Sequence, residues 1–167
     1  MTQRVDLSTV MDRLSIDAVI TGYAVAVDDG AWPDYRALFT ADGRADYRTA
    51  GGIEGSATEV AEWLSETMTL FPVRQHLIVN RRLDLQDLGG YPGDRARVRA
   101  DYMNPMRLVS GPDAVRSTDT ADRSTAPNFV SGGRYGFELL RTDDGWRIQG
   151  VTVHEKWRTL SDSLTAM

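Results

Sequence analysis

The chain has 167 residues, 41% of them apolar, which is enough for one hydrophobic core, so residues 1–167 read as a single domain. A net charge of −5, with basic residues scattered among acidic ones, offers no footprint for nucleic acid and no polybasic patch for a membrane. Cysteine is absent, which excludes disulfides and thiolate metal sites, and two histidines are too few for a histidine-rich metal centre.

The N-terminal stretch MTQRVDLSTVMDRLS lacks the apolar core of a signal peptide, and no segment approaches the roughly 18 apolar residues of a membrane span. A cytoplasmic protein is the expectation. From Leu7 to about Asp28, Val10, Leu14, Ile16, Val19, Ile20, Tyr23 and Val27 recur at spacings of three and four, which predicts an amphipathic helix ending at Gly30. A shorter helix is expected in WPDYRALFT, with Pro33 in its first turn, and a short strand in GRADYRTA. A third helix begins at Ser56 and Glu59, which have capping-box spacing ahead of Val60, Leu64 and Met68.

The period then changes. VRQHLIVNRRLDLQ reads as one strand, and 95–110 as a long one with Ala96, Val98, Ala100, Tyr102, Asn104, Met106 and Leu108 on the inward face. Arg95, Arg97, Arg99, Asp101 and Arg107 take the outward face. Residues 111–127 are polar and turn-rich, which predicts a mobile loop. A final hairpin follows, with a bulge or bend at Gly132 and Gly133. Helices first and antiparallel strands afterwards predict an α+β domain whose curved sheet leaves an apolar hollow for a small molecule.

Within that hollow His76 and Asp28 make chemical sense together. A neutral imidazole can take a proton from carbon, and a carboxylate on its other nitrogen fixes the tautomer and stabilises the imidazolium. Asp28, at a helix C-terminus, opposes the macrodipole and gains from a partner. Tyr23, Tyr47, Tyr102 and Asn104 supply hydroxyl and amide groups for a substrate, and Trp32, Phe71, Met103 or Met106, Leu108 and Phe137 an apolar lining. His154, in a polar stretch, reads as a surface residue.

The stretches YAVAVDDGAWPDYRALFTADGRADY, RQHLIVN and GGRYGFELLRTDDGWRI resemble the SnoaL-like branch of the nuclear transport factor 2-like superfamily over roughly residues 10–157. The pattern looks like that of its members scytalone dehydratase, hexachlorocyclohexane dehydrochlorinase and bile acid 7α-dehydratase. The resemblance implies a cone-shaped α+β barrel, three helices packed in a strongly curved, mixed but mostly antiparallel sheet. It also implies no cofactor or metal, and a homo-oligomer, dimer or trimer. By the same resemblance Asp28 and His76 fall at the catalytic aspartate and histidine, Tyr23 at a tyrosine used by the bile acid enzyme, and Tyr47 at a tyrosine of scytalone dehydratase that helps polarise substrate. Met106 stands where relatives carry a second acid or base, and Arg134 and Gly136 where one of them has serine and asparagine, so Asn104 or Tyr102 becomes the candidate replacement.

The expected function is a cofactor-independent lyase of dehydratase type acting on a small hydrophobic, cyclic substrate through a His-Asp dyad. An isomerase or cyclase uses the same first step, and a small-molecule binding protein is the alternative of a different class.

Overall fold

Four buried side chains set the long first helix against the rest of the molecule. Ile16, Ile20, Tyr23 and Val27, spaced by four, three and four, form its inner stripe in α1 (Leu7–Asp29). Val10 and Leu14, expected on that stripe, are instead on the solvent side, because the stripe continues towards the N-terminus through Asp12. Asp12 is buried with partners: Arg141 Nη2 donates to it at 2.6 Å and Trp146 Nε1 at 3.2 Å. The computed structural model describes residues 6–86, 89–109 and 125–161. Most of the expected loop, residues 111–124, lies outside them.

Gly30 closes α1 in the left-handed conformation, at φ 65°, and its neighbour Ala31 donates to the carbonyl of Ala26. α2 (Trp32–Ala37) follows with Pro33 in its first turn. After β1 (Phe39–Asp46) and β2 (Glu54–Ser56), α3 (Ala57–Thr67) starts at the expected capping box, with Ser56 and Glu59 reciprocally bonded.

The strands β3 (Val73–Arg74), β4 (Leu77–Gln86), β5 (Arg95–Arg107), β6 (Phe129–Thr142) and β7 (Gly145–Leu160) complete a seven-stranded sheet in the order β2-β1-β7-β6-β5-β3, with β4 also on β5. β1 runs parallel to β7 and every other pairing is antiparallel. The sheet curls around the helices without closing, so the expected cone is present and a closed barrel is not. Alternation along β5 is as predicted, with Ala96, Val98, Ala100, Tyr102, Asn104 and Met106 all buried.

One expected strand is two. Residues 73–86 break between Arg74, opposite Met106, and Leu77, opposite Met103. Pro105 lies across the gap. Gln75 donates to the Pro105 carbonyl at 3.2 Å, but proline has no N–H to return the bond, and the ladder opens there. His76 sits in the opening. The bulge expected at Gly132 and Gly133 is present, as a register shift between β6 and β7. None of the described helices is long and apolar enough to cross a membrane.

Candidate functional site

The end of α1 and the β3–β4 break are fastened to each other. Arg74 Nε donates to the Val27 carbonyl at 2.9 Å, and Nη1 to the carbonyls of Met68 and Phe71 at 3.2 and 3.1 Å. A guanidinium at a helix C-terminus answers both the orphan carbonyls and the dipole. Two residues later the His76 N–H, released from the ladder, donates to the Asp28 carboxylate at 2.9 and 3.1 Å. The ring follows it: His76 Nδ1 lies 2.6 Å from Asp28 Oδ1. A carboxylate only accepts, so Nδ1 carries a proton, and in the neutral ring Nε2 keeps its lone pair.

His76, with a side chain 8% exposed, forms part of the wall of a cavity of about 180 Å³. Asp28 lies behind it, outside that wall. Tyr23 and Asp28, five residues apart on the helix, therefore need not converge, because the carboxylate acts through the ring.

The cavity is lined on its apolar side by Val27, Leu64, Met68, Phe71, Met106 and Phe129, with Trp63 beside them. Its polar side holds two groups. The hydroxyls of Tyr23 and Tyr47 are hydrogen-bonded to each other, so one of the two protons is committed to the pair and the other is free to point into the cavity. Burial pushes the Tyr47 hydroxyl well above its ordinary 10.0, which keeps it a proton donor. The second group joins Tyr102, Asn104, Ser131, Tyr135 and Glu155. Burial pushes Tyr102 and Tyr135 up as well, the latter against the opposing influence of the Asn104 amide beside it.

Of the residues expected in the site, His76, Tyr23, Tyr47, Tyr102, Asn104, Met106 and Phe71 line the cavity, with Asp28 in contact through His76. Trp32 and Phe137 do not. Phe137 is 1% exposed and packs edge-on against Tyr23 at 5.3 Å, in the core behind the cavity, and Trp32 packs edge-on against Tyr35 at 6.3 Å, outside it. An aromatic ring satisfies a core as readily as a pocket, and its residue type alone does not choose. Met103 is on the outer face and Leu108 lies off the cavity wall; Met106 takes the inward position. His154 is exposed, as expected.

Among the lining residues that the sequence reading does not single out are Trp63, Ser131, Tyr135 and Glu155. The alternation of Ser131, Gly133, Tyr135 and Phe137 on β6, and of Val151, Val153 and Glu155 on β7, carries the signal for three of them. The polar setting of VHEKW conceals Glu155, which the alternation places on the inward face, opposite Gly133. Among the described residues no group of three His, Asp or Glu side chains is arranged to hold a metal ion.

Comparison with known proteins places these features in a family. The profile of the SnoaL-like domain matches residues 8–152. An uncharacterized protein of Mycobacterium tuberculosis is 31% identical over 142 residues, 85% of this chain and 84% of its own length. Among solved structures, the hexachlorocyclohexane dehydrochlorinase LinA-type3 of Novosphingobium barchaimii superposes with a TM-score of 0.71 at 15% identity, covering 98% of this chain and 99% of that one. A candidate scytalone dehydratase of Novosphingobium aromaticivorans superposes with a TM-score of 0.69 at 14% identity, covering 96% and 98%. At these identities the two structures speak for the fold.

Proposed function

Starting from a chain that belongs to the SnoaL-like domain family, we propose that this protein is a lyase of dehydratase type whose proton transfers are carried by its own side chains. The observation that carries the reading is the 2.6 Å contact of His76 Nδ1 with Asp28 in a ring that faces an apolar cavity. Nε2 removes a proton from a carbon next to a carbonyl. Asp28 fixes the tautomer and stabilises the imidazolium that forms. The free hydroxyl of the Tyr23–Tyr47 pair donates a hydrogen bond to the oxygen on which negative charge develops. The C–O bond to the leaving hydroxyl then breaks, and the imidazolium returns its proton to that oxygen, so that water departs and His76 is neutral again.

Met106 shapes this sequence of steps. A thioether holds no proton to give, so at the position where an acid is expected the cavity offers only apolar contact. The same feature favours a second reading, in which the proton returns to carbon and the reaction is an isomerisation or cyclisation. The cavity size and lining fit a small hydrophobic, cyclic substrate in either case.

The test is turnover of a panel of 3-hydroxy cyclic ketones, followed by the ultraviolet absorbance of the conjugated enone. The wild type is expected to form enone and His76→Ala to lose about 10²–10⁴ in rate while still binding the ketone. Isomerised ketone without enone would replace elimination by the second reading. A His76→Ala protein that changes only in affinity would make this a binding protein.

A further inference from the structure

Glu155 is a carboxylate on the cavity wall that the proton transfer does not use. Its side chain is 10% exposed; Oε1 accepts from Arg158 Nε at 2.6 Å and Oε2 from Ser131 Oγ at 2.8 Å. A carboxylate only accepts, so the single hydroxyl proton of Ser131 is directed at Glu155, and Ser131 Oγ has only lone pairs to offer elsewhere. Tyr102 Oη, 3.3 Å from Ser131 Oγ, therefore donates its own single proton to that serine. What Tyr102 presents to the cavity is oxygen lone pairs.

Asn104, two residues along the same inward face of β5, adds an acceptor. The residue is 5% exposed, and its Oδ1 is buried without a hydrogen-bond partner. Its amide lies beside the Tyr135 hydroxyl and opposes the rise that burial imposes there. A buried carbonyl oxygen left without a donor costs free energy that a ligand hydroxyl recovers on binding.

We infer that Tyr102 and Asn104 form a binding site for a hydroxyl donor on an uncharged ligand, with Glu155, through Ser131, as the positioning residue that makes Tyr102 an acceptor. The inference rests on the reading that the cavity takes a small organic substrate, and it narrows that substrate to a neutral, hydroxylated one. A carboxylate ligand would face Glu155, whose charge Arg158 balances without surplus.

The test measures dissociation constants of 2-naphthol, 2-methoxynaphthalene and 2-naphthoate for the purified full chain by titration calorimetry. A merely apolar cavity prefers the more hydrophobic ether. The acceptor wall reverses that order: 2-naphthol binds at least about tenfold tighter than the ether, and tighter than the naphthoate. Ser131→Ala frees the Tyr102 proton for the ether oxygen and Asn104→Leu removes an acceptor, so each brings the ratio below about threefold. Equal or reversed affinities in the wild type, tighter binding of the naphthoate, or no binding of 2-naphthol at millimolar concentration overturns the inference, whatever the protein does with ketones. A preserved preference with no turnover supports it and counts against the elimination reading alone.

Discussion

Asp28 directs its carboxylate at both the backbone and the ring of His76, which divides the two ring nitrogens between structure and chemistry. Asp28→Asn keeps an acceptor for the backbone N–H but loses the charge that stabilises an imidazolium. It is expected to lower the rate of enone formation by about 10²-fold or more with ligand affinity unchanged. Tyr47→Phe removes one member of the hydroxyl pair and is expected to cost about 10²-fold in kcat, read in the same assay. A different residue makes a prediction about stability. The hydroxyl of Tyr35 is buried without a hydrogen-bond partner, and burial drives it far above its ordinary 10.0. Tyr35→Phe should raise the unfolding free energy by about 1 kcal/mol in urea denaturation, because it deletes a polar group that water serves only in the unfolded chain. At this scale the sequence was informative about chemistry and silent about neighbours. Imidazole and carboxylate seek each other wherever they are, whereas Phe137 and Trp32 fit a core as well as a pocket.

Strands and turns place those residues, and here a local irregularity shapes the site. Pro105 opens the ladder opposite residues 75 and 76, so the His76 N–H turns to Asp28. That break was not legible in VRQHLIVN, because its cause is a proline on the neighbouring strand. Glu155 faces Gly133 across the β6–β7 ladder, just before its bulge. A Cβ on Gly133 would collide with the His154 carbonyl and come within 2.9 Å of Tyr102. Gly133→Ala is therefore expected to destabilise the fold by about 2 kcal/mol, measured from the urea midpoint, since backbone cannot yield as a flexible side chain would. What was legible at this scale had short-range causes: the alternation of β5, the capping box at Ser56 and Glu59, and the left-handed glycine closing α1.

Across the whole molecule, ion pairs join segments far apart in sequence and make stability depend on pH. The hydrogen bond from Arg141, followed by that from Trp146, holds the buried Asp12 carboxyl below its ordinary 3.8, against the opposing effect of burial, and so ties the start of α1 to the last hairpin. On the surface, Arg48 holds Asp46 at about 2. A carboxyl whose folded value is depressed contributes stability that is complete above its unfolded value and lost as pH falls through the folded one. The contribution of these two carboxyls should therefore be complete above pH about 4 and decline below it. Arg141→Ala should differ from the wild type by more at pH 7 than at about pH 2.5, as thermal unfolding across pH would show. This long-range pairing, unlike the family pattern in residues 23–47, left no trace in local periodicity, since its partners are separated by more than a hundred residues.

The tautomer of one ring tests the account at its centre. In ¹⁵N-labelled protein at alkaline pH, long-range ¹H–¹⁵N correlations resolve both ring nitrogens of His76, with His154→Gln assigning the remaining imidazole. The account predicts a proton on Nδ1 and a bare Nε2; a proton resident on Nε2 would leave the cavity without its base and contradict it.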